Sequence, residues 1–94
     1  MDNILFSECG VCYACGAHGY TERHHIFGAA MRKKSEQYGL TVHLCPYCHR
    51  DNKHGVHGDK DAMERLHAAG QKAAMQQYGW SKDDFIREFY KNYL

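Results

Sequence analysis

Two Cys-x-x-Cys pairs, Cys12-Tyr13-Ala14-Cys15 and Cys45-Pro46-Tyr47-Cys48, constrain this chain more than any other feature. Either pair alone is ambiguous, because a thiol redox couple, a haem attachment site and half of a zinc site share the spacing. The second pair, within Leu44-Cys45-Pro46-Tyr47-Cys48-His49, fits all three readings. A redox fold of this kind needs a cis-proline on a later strand, and the one proline, Pro46, lies inside the motif. Haem attachment leaves the first pair without a role. A zinc site uses both pairs: Cys12, Cys15, Cys45 and Cys48 supply four thiolates for a tetrahedral Zn²⁺. Gly16 directly after Cys15 suits a tight knuckle. Cys9 also forms Cys-x-x-Cys with Cys12, but Gly16 favours the Cys12–Cys15 register and leaves Cys9 as a spare thiol.

A staple is what a chain of 94 residues needs. At this size a domain buries only roughly 60–65% of the surface its unfolded form exposes, so the core is thin. One domain over residues 1–94 is expected. The early apolar run Ile4-Leu5-Phe6 is too short for a secretory h-region, and no segment has the length of a membrane span. An intracellular, reducing compartment is expected, where paired cysteines bind metal more often than they oxidise. Net charge is +1, but residues 20–60 carry seven Lys or Arg against four acids, including Arg32-Lys33-Lys34. A phosphate-bearing partner fits that excess, as does a solvated loop.

The pattern reads as α+β. Tyr20–Phe27 reads as a strand, and residues 28–40 as a loop with a helical turn over 29–37. Thr41–Leu44 reads as a second strand. Cys45–Lys53 opens a helix that Gly55 and Gly58 break. A longer helix runs from about Asp61 to Tyr78, with Asp61 and Glu64 placed as a capping box. Its apolar face is Met63, Leu66, Ala69 and Ala73, and Gly79 closes it. Ser81 and Asp84 form a second capping box before a helix whose Phe85, Phe89 and Tyr93 share a face. His18 and His67 read as ordinary surface histidines.

A four-thiolate staple has no use for His24, His25, His49 and His57 nearby. Their order carries a second signal. From residue 12 to 57, Cys-x-x-Cys, then His24-His25-Ile26-Phe27-Gly28, then Leu44-Cys45-Pro46-Tyr47-Cys48-His49 resembles the HNH nucleases of the His-Me finger (ββα-metal) superfamily. The likeness is to the small phage-type members, through Arg32-Lys33-Lys34-Ser35-Glu36-Gln37-Tyr38-Gly39-Leu40 and Gly55-Val56-His57. The resemblance implies a zinc-stapled ββα-metal core over 12–57 with additional helices over 59–94. It implies His25 as general base, and His24 and His49 as ligands of one catalytic divalent metal. His57 is a third ligand and His54 a weaker candidate. Leu40 departs from the pattern, because the family's asparagine stands nine residues before the last histidine.

The implied chemistry needs these residue types. A neutral imidazole takes a proton from water, and a divalent cation offsets charge on the phosphate and the leaving oxygen. Imidazole ligands favour Zn²⁺, Ni²⁺, Co²⁺ or Mn²⁺, while water-rich sites accept Mg²⁺. Arg23 and Arg50 can clamp a phosphate with a planar fork, and Arg32, Lys33 and Lys34 can track a backbone. The resemblance thus implies a DNA endonuclease, phage or prophage encoded, without a small-molecule cofactor or a membrane partner. A zinc-stabilised nucleic-acid-binding module that does not cut is the alternative, and Leu40 is the feature favouring it. Oligomeric state is left open. Adjacent strand residues point to opposite faces, so His24 and His25 share a site only if the strand ends or twists there.

Overall fold

A computed structural model describes residues 3–94. Two short strands, β1 (Glu22–His25) and β2 (Thr41–Leu44), pair antiparallel, with His24 opposite Val42 and His25 opposite Thr41. Between them lie a 3₁₀ turn (Ala29–Met31) and helix α1 (Arg32–Gln37). Helix α2 (Pro46–Arg50) follows β2 at once. Helices α3 (Lys60–Tyr78) and α4 (Lys82–Phe89) complete the α+β arrangement. No helix among the described residues is long and apolar enough to cross a membrane.

The strand expected over 20–27 is confined to Glu22–His25, and the helix expected over 45–53 ends at Arg50. Asp51 stops α2. Its carboxylate accepts the amides of Lys53 (3.1 Å) and His54 (3.0 Å), which turns the chain out of the helix. The loop then folds back so that the Val56 amide donates to the Cys48 carbonyl at 2.7 Å. Gly58 permits this return, because a Cβ there would meet the Asn52 carbonyl oxygen at 2.2 Å.

Helix α3 begins earlier than the expected Asp61 cap. Asp59 caps it, accepting from the amides of Asp61 (3.0 Å) and Ala62 (3.3 Å). Its buried face is Leu66, Gly70, Gln71 and Ala74, rotated about one residue from the expected set. Close packing on the segment just after β1 explains the rotation: a Cβ at Gly70 would lie 2.8 Å from Ile26 Cγ2. Gln71 is buried because its amide is satisfied, donating to Asn92 Oδ1 (2.9 Å) and accepting the Tyr93 amide (2.7 Å). The Ser81–Asp84 capping box is present at the start of α4.

The core joins Ile26, Phe27, Leu40, Val42 and Leu44 to Leu66, Ala74, Phe85 and Phe89. Phe27 sits at its centre, with the rings of Phe89 at 4.8 Å and Tyr93 at 5.1 Å. His67 is not the expected surface histidine: its ring stacks on Phe27 at 5.2 Å and is half-buried.

Candidate metal centres

The first centre is built on a knuckle and a helix start. The Gly16 amide donates to the Cys12 carbonyl (2.8 Å), with Gly16 itself at φ +76°. The Tyr13 amide donates to the His43 carbonyl at 2.8 Å and moors the knuckle to β2. Cys45 caps α2, its sulfur accepting the Cys48 amide at 3.5 Å. The result brings one sulfur each from Cys12, Cys15, Cys45 and Cys48 within 4.8 Å of one another, close enough to bind a metal ion. Cys9 is exposed and lies outside this cluster.

Burial pushes the Cys12 thiol up, but backbone hydrogen bonds from Cys45, Cys15 and Ala14 outweigh it and bring it down to about 6. Burial, followed by the sulfurs of Cys45, Cys12 and Cys15, pushes Cys48 far above its ordinary value. A cation bound at the centre would favour the thiolate form of its ligands.

The second centre gathers His24 from β1, His49 from α2 and His57 from the returning loop. One ring nitrogen of each lies within 4.8 Å of the others. His49 Nε2 and His57 Nε2 are 3.1 Å apart. His49 Nδ1 faces Glu22 Oε1 at 2.9 Å. An ionised carboxylate only accepts, so the His49 Nδ1 that faces it carries a hydrogen, and Nε2 is the nitrogen turned toward His57. Glu22 is held below the usual carboxylate range by that bond to His49, with Arg50 helping at 2.7 Å. His24 Nε2 is buried without a hydrogen-bond partner among the described residues. Burial, then the neighbouring His49 and His57, lower the pKa of His24 to about 3, so its ring is neutral. A buried imidazole nitrogen with no partner is costly, and three converging imidazoles fit a divalent cation.

His25 ends β1, and it and His24 both line a cavity of about 320 Å³ that also reaches Arg23, Arg32, His49, His57 and His67. His25 Nε2 lies 2.7 Å from Glu36 Oε2, and Arg23 NH1 lies 2.6 Å from Glu36 Oε1. His54 is held elsewhere, with Nδ1 at 3.1 Å from Asp51 and its ring stacked on Tyr47 at 5.4 Å.

The basic residues separate into two groups. Lys34, expected among the phosphate-contacting residues, makes intramolecular contacts. Its ammonium donates to the Glu88 carbonyl (2.7 Å) and lies over the Tyr90 ring, which docks α1 on the C-terminal helix. Among the described residues no ion pair holds Arg32 or Lys33, and both are exposed.

Three residues were absent from the expected site. Glu22 had a signal, because it and His24 lie two apart on one strand and share a face. Glu36 and Ser35 had none, being placed by the fold of α1. The Ser35 hydroxyl accepts the Phe27 amide (3.0 Å) and donates to the Phe27 carbonyl (2.7 Å), tying α1 to the end of β1. Leu40, where the resemblance implies an asparagine, is fully buried in the core. Comparison with known protein families, curated proteins and solved structures finds no match to this chain.

Proposed function

We propose that this chain is a metal-dependent endonuclease of the HNH, His-Me finger type that hydrolyses DNA phosphodiester bonds. One observation carries the reading: three imidazoles converge with an unsatisfied buried nitrogen, beside a fourth histidine in the same cavity. Three ligands leave room for a substrate or water, as catalytic sites require. The strand-strand-helix order of β1, β2 and α2, which delivers His24 and His49 to that cavity, accords with a ββα-metal core. The cysteine cluster is read as a structural Zn²⁺ site.

A divalent cation on His24, His49 and His57, whether Mg²⁺, Mn²⁺, Ni²⁺, Co²⁺ or Zn²⁺, would offset negative charge on the phosphate and the leaving oxygen. His25 takes the proton from the attacking water. Arg23 and Arg32, at the cavity wall, orient the phosphate. Lys33 adds charge that attracts the backbone without reading bases. Ser35 makes the tie from loop to strand, so Leu40 is free to be an apolar core residue.

Plasmid nicking tests this reading. Wild-type protein, stripped of loosely held metal by EDTA, should be inactive and regain nicking when one of Mg²⁺, Mn²⁺, Ni²⁺, Co²⁺ or Zn²⁺ is added. A protein that binds DNA but nicks with none of them is a zinc-stabilised binding module.

A further inference from the structure

Glu36 makes two short contacts at the cavity edge, and neither reaches into the core. Its carboxylate is exposed, yet both oxygens are committed, one to Arg23 and one to His25. Arg23 first and His25 second hold it below the usual carboxylate range, so it is ionised and can only accept. The nitrogen of His25 that faces it must therefore carry the hydrogen.

Helix α1 gives Glu36 a fixed base. Ser35 binds both backbone groups of Phe27, and Lys34 is anchored on the Glu88 carbonyl. The next turn is held by the Tyr38 hydroxyl, which donates to Glu88 Oε1 at 2.7 Å. Residues before Glu36 are thus pinned to the segment just after β1 and to α4, while its own side chain reaches back to β1. An arrangement with two supports and one outward carboxylate positions a partner well.

We propose that Glu36 is the positioning residue of His25: it fixes the ring proton on Nε2, which makes Nδ1 the atom that accepts the proton from water. This rests on the nuclease reading. In the step, Nδ1 takes a proton from water as the water oxygen bonds to phosphorus. The bond from phosphorus to the leaving oxygen breaks, and that oxygen carries away the electron pair. The imidazolium so formed lies against the Glu36 carboxylate, which stabilises its charge. The same carboxylate holds the Arg23 guanidinium at the cavity wall, ready to fork onto a phosphate.

The decisive measurement does not depend on cleavage. Long-range ¹H–¹⁵N spectra of the zinc-loaded protein report the tautomer of each histidine, with His25 assigned by its disappearance in His25→Ala. Wild type should show His25 as a single Nε2–H tautomer, and Glu36→Gln should give a mixture or the reverse. A wild-type Nδ1–H tautomer, or no change in Glu36→Gln, overturns the proposal. In nicking assays Glu36→Gln should lower kcat on the order of 10²-fold, with a smaller change in KM. In the His25→Ala background Glu36→Gln should add no further loss; a further loss would mark Glu36 as merely structural and defeat the proposal. If wild type nicks nothing, the nuclease reading falls, and the spectra still decide whether Glu36 fixes His25.

Discussion

The two candidate metal centres share helix α2, through the adjacent residues Cys48 and His49, yet they are built to opposite plans. The cysteine centre has four ligands, enough to close a tetrahedron. It joins the knuckle before β1 to the start of α2. The histidine centre has three candidate ligands, delivered by a strand, a helix and a loop, and it opens on a cavity. Four ligands satisfy an ion completely and leave it nothing to do but hold the chain; three leave a coordination position to something that comes and goes. On the proposed reading, the same short helix serves one centre that stabilises and one that is available for chemistry.

The comparison breaks most visibly at Cys48. Cys48→Ser should unfold much of the domain, because structural zinc contributes about 10–16 kcal/mol, as much as a whole domain's stability of about 5–15 kcal/mol. Thermal melting with metal analysis checks it: a zinc-free variant with an unchanged melt would show that the cluster is not a staple.

Gly58→Ala should strike only the open centre. Its Cβ would meet the Asn52 and Asp51 carbonyl oxygens at 2.2 and 2.5 Å, forcing the loop that carries His57 to move. Affinity for the second metal should fall roughly 10–100-fold, the scale seen when a ligand's support is lost, while the tightly held zinc remains. Calorimetric metal titration measures both; unchanged second-site affinity would mean that His57 is not a ligand.

The smallest effect separates the basic residues around the cavity. Replacing Arg32 and Lys33 together by alanine should weaken DNA binding evenly across sequences and flatten its salt dependence by about two counterions. Lys34→Ala should leave that slope unchanged and lower the melting temperature instead, because Lys34 holds α1 to the C-terminal helix. Fluorescence anisotropy across a salt series distinguishes the two, and an equal loss of slope for Lys34→Ala would return it to the phosphate path.

What could be read from the sequence follows the range of the interactions involved. The cysteine register was legible because spacing within each pair is local and Gly16 marks the turn. The two strands and the Ser81 capping box were legible for the same reason. The first cap of α3 was missed by two residues because Asp59 and Asp61 are both good caps, and the return of the loop at Gly58 selects Asp59. The face of α3 was misplaced because Gly70 and Gln71 look unsuited to a core. Glycine is required there by the approach of Ile26, and glutamine is accommodated by Asn92 and Tyr93, over 20 residues on. Glu36 was invisible for the same reason: eleven residues separate it from His25, and only the docking of α1 brings them together.

The most direct test of an open, catalytic centre beside a closed, structural one is metal-titrated plasmid nicking by wild type, His25→Ala and His49→Ala, with folding checked by melting. His25→Ala should lose roughly 10²–10⁴-fold in rate while keeping its zinc, its DNA binding and its metal response. His49→Ala should need more metal, with excess Mn²⁺ restoring part of the activity. Nicking by His25→Ala at the wild-type rate, or a metal response in His49→Ala identical to wild type, would contradict the account.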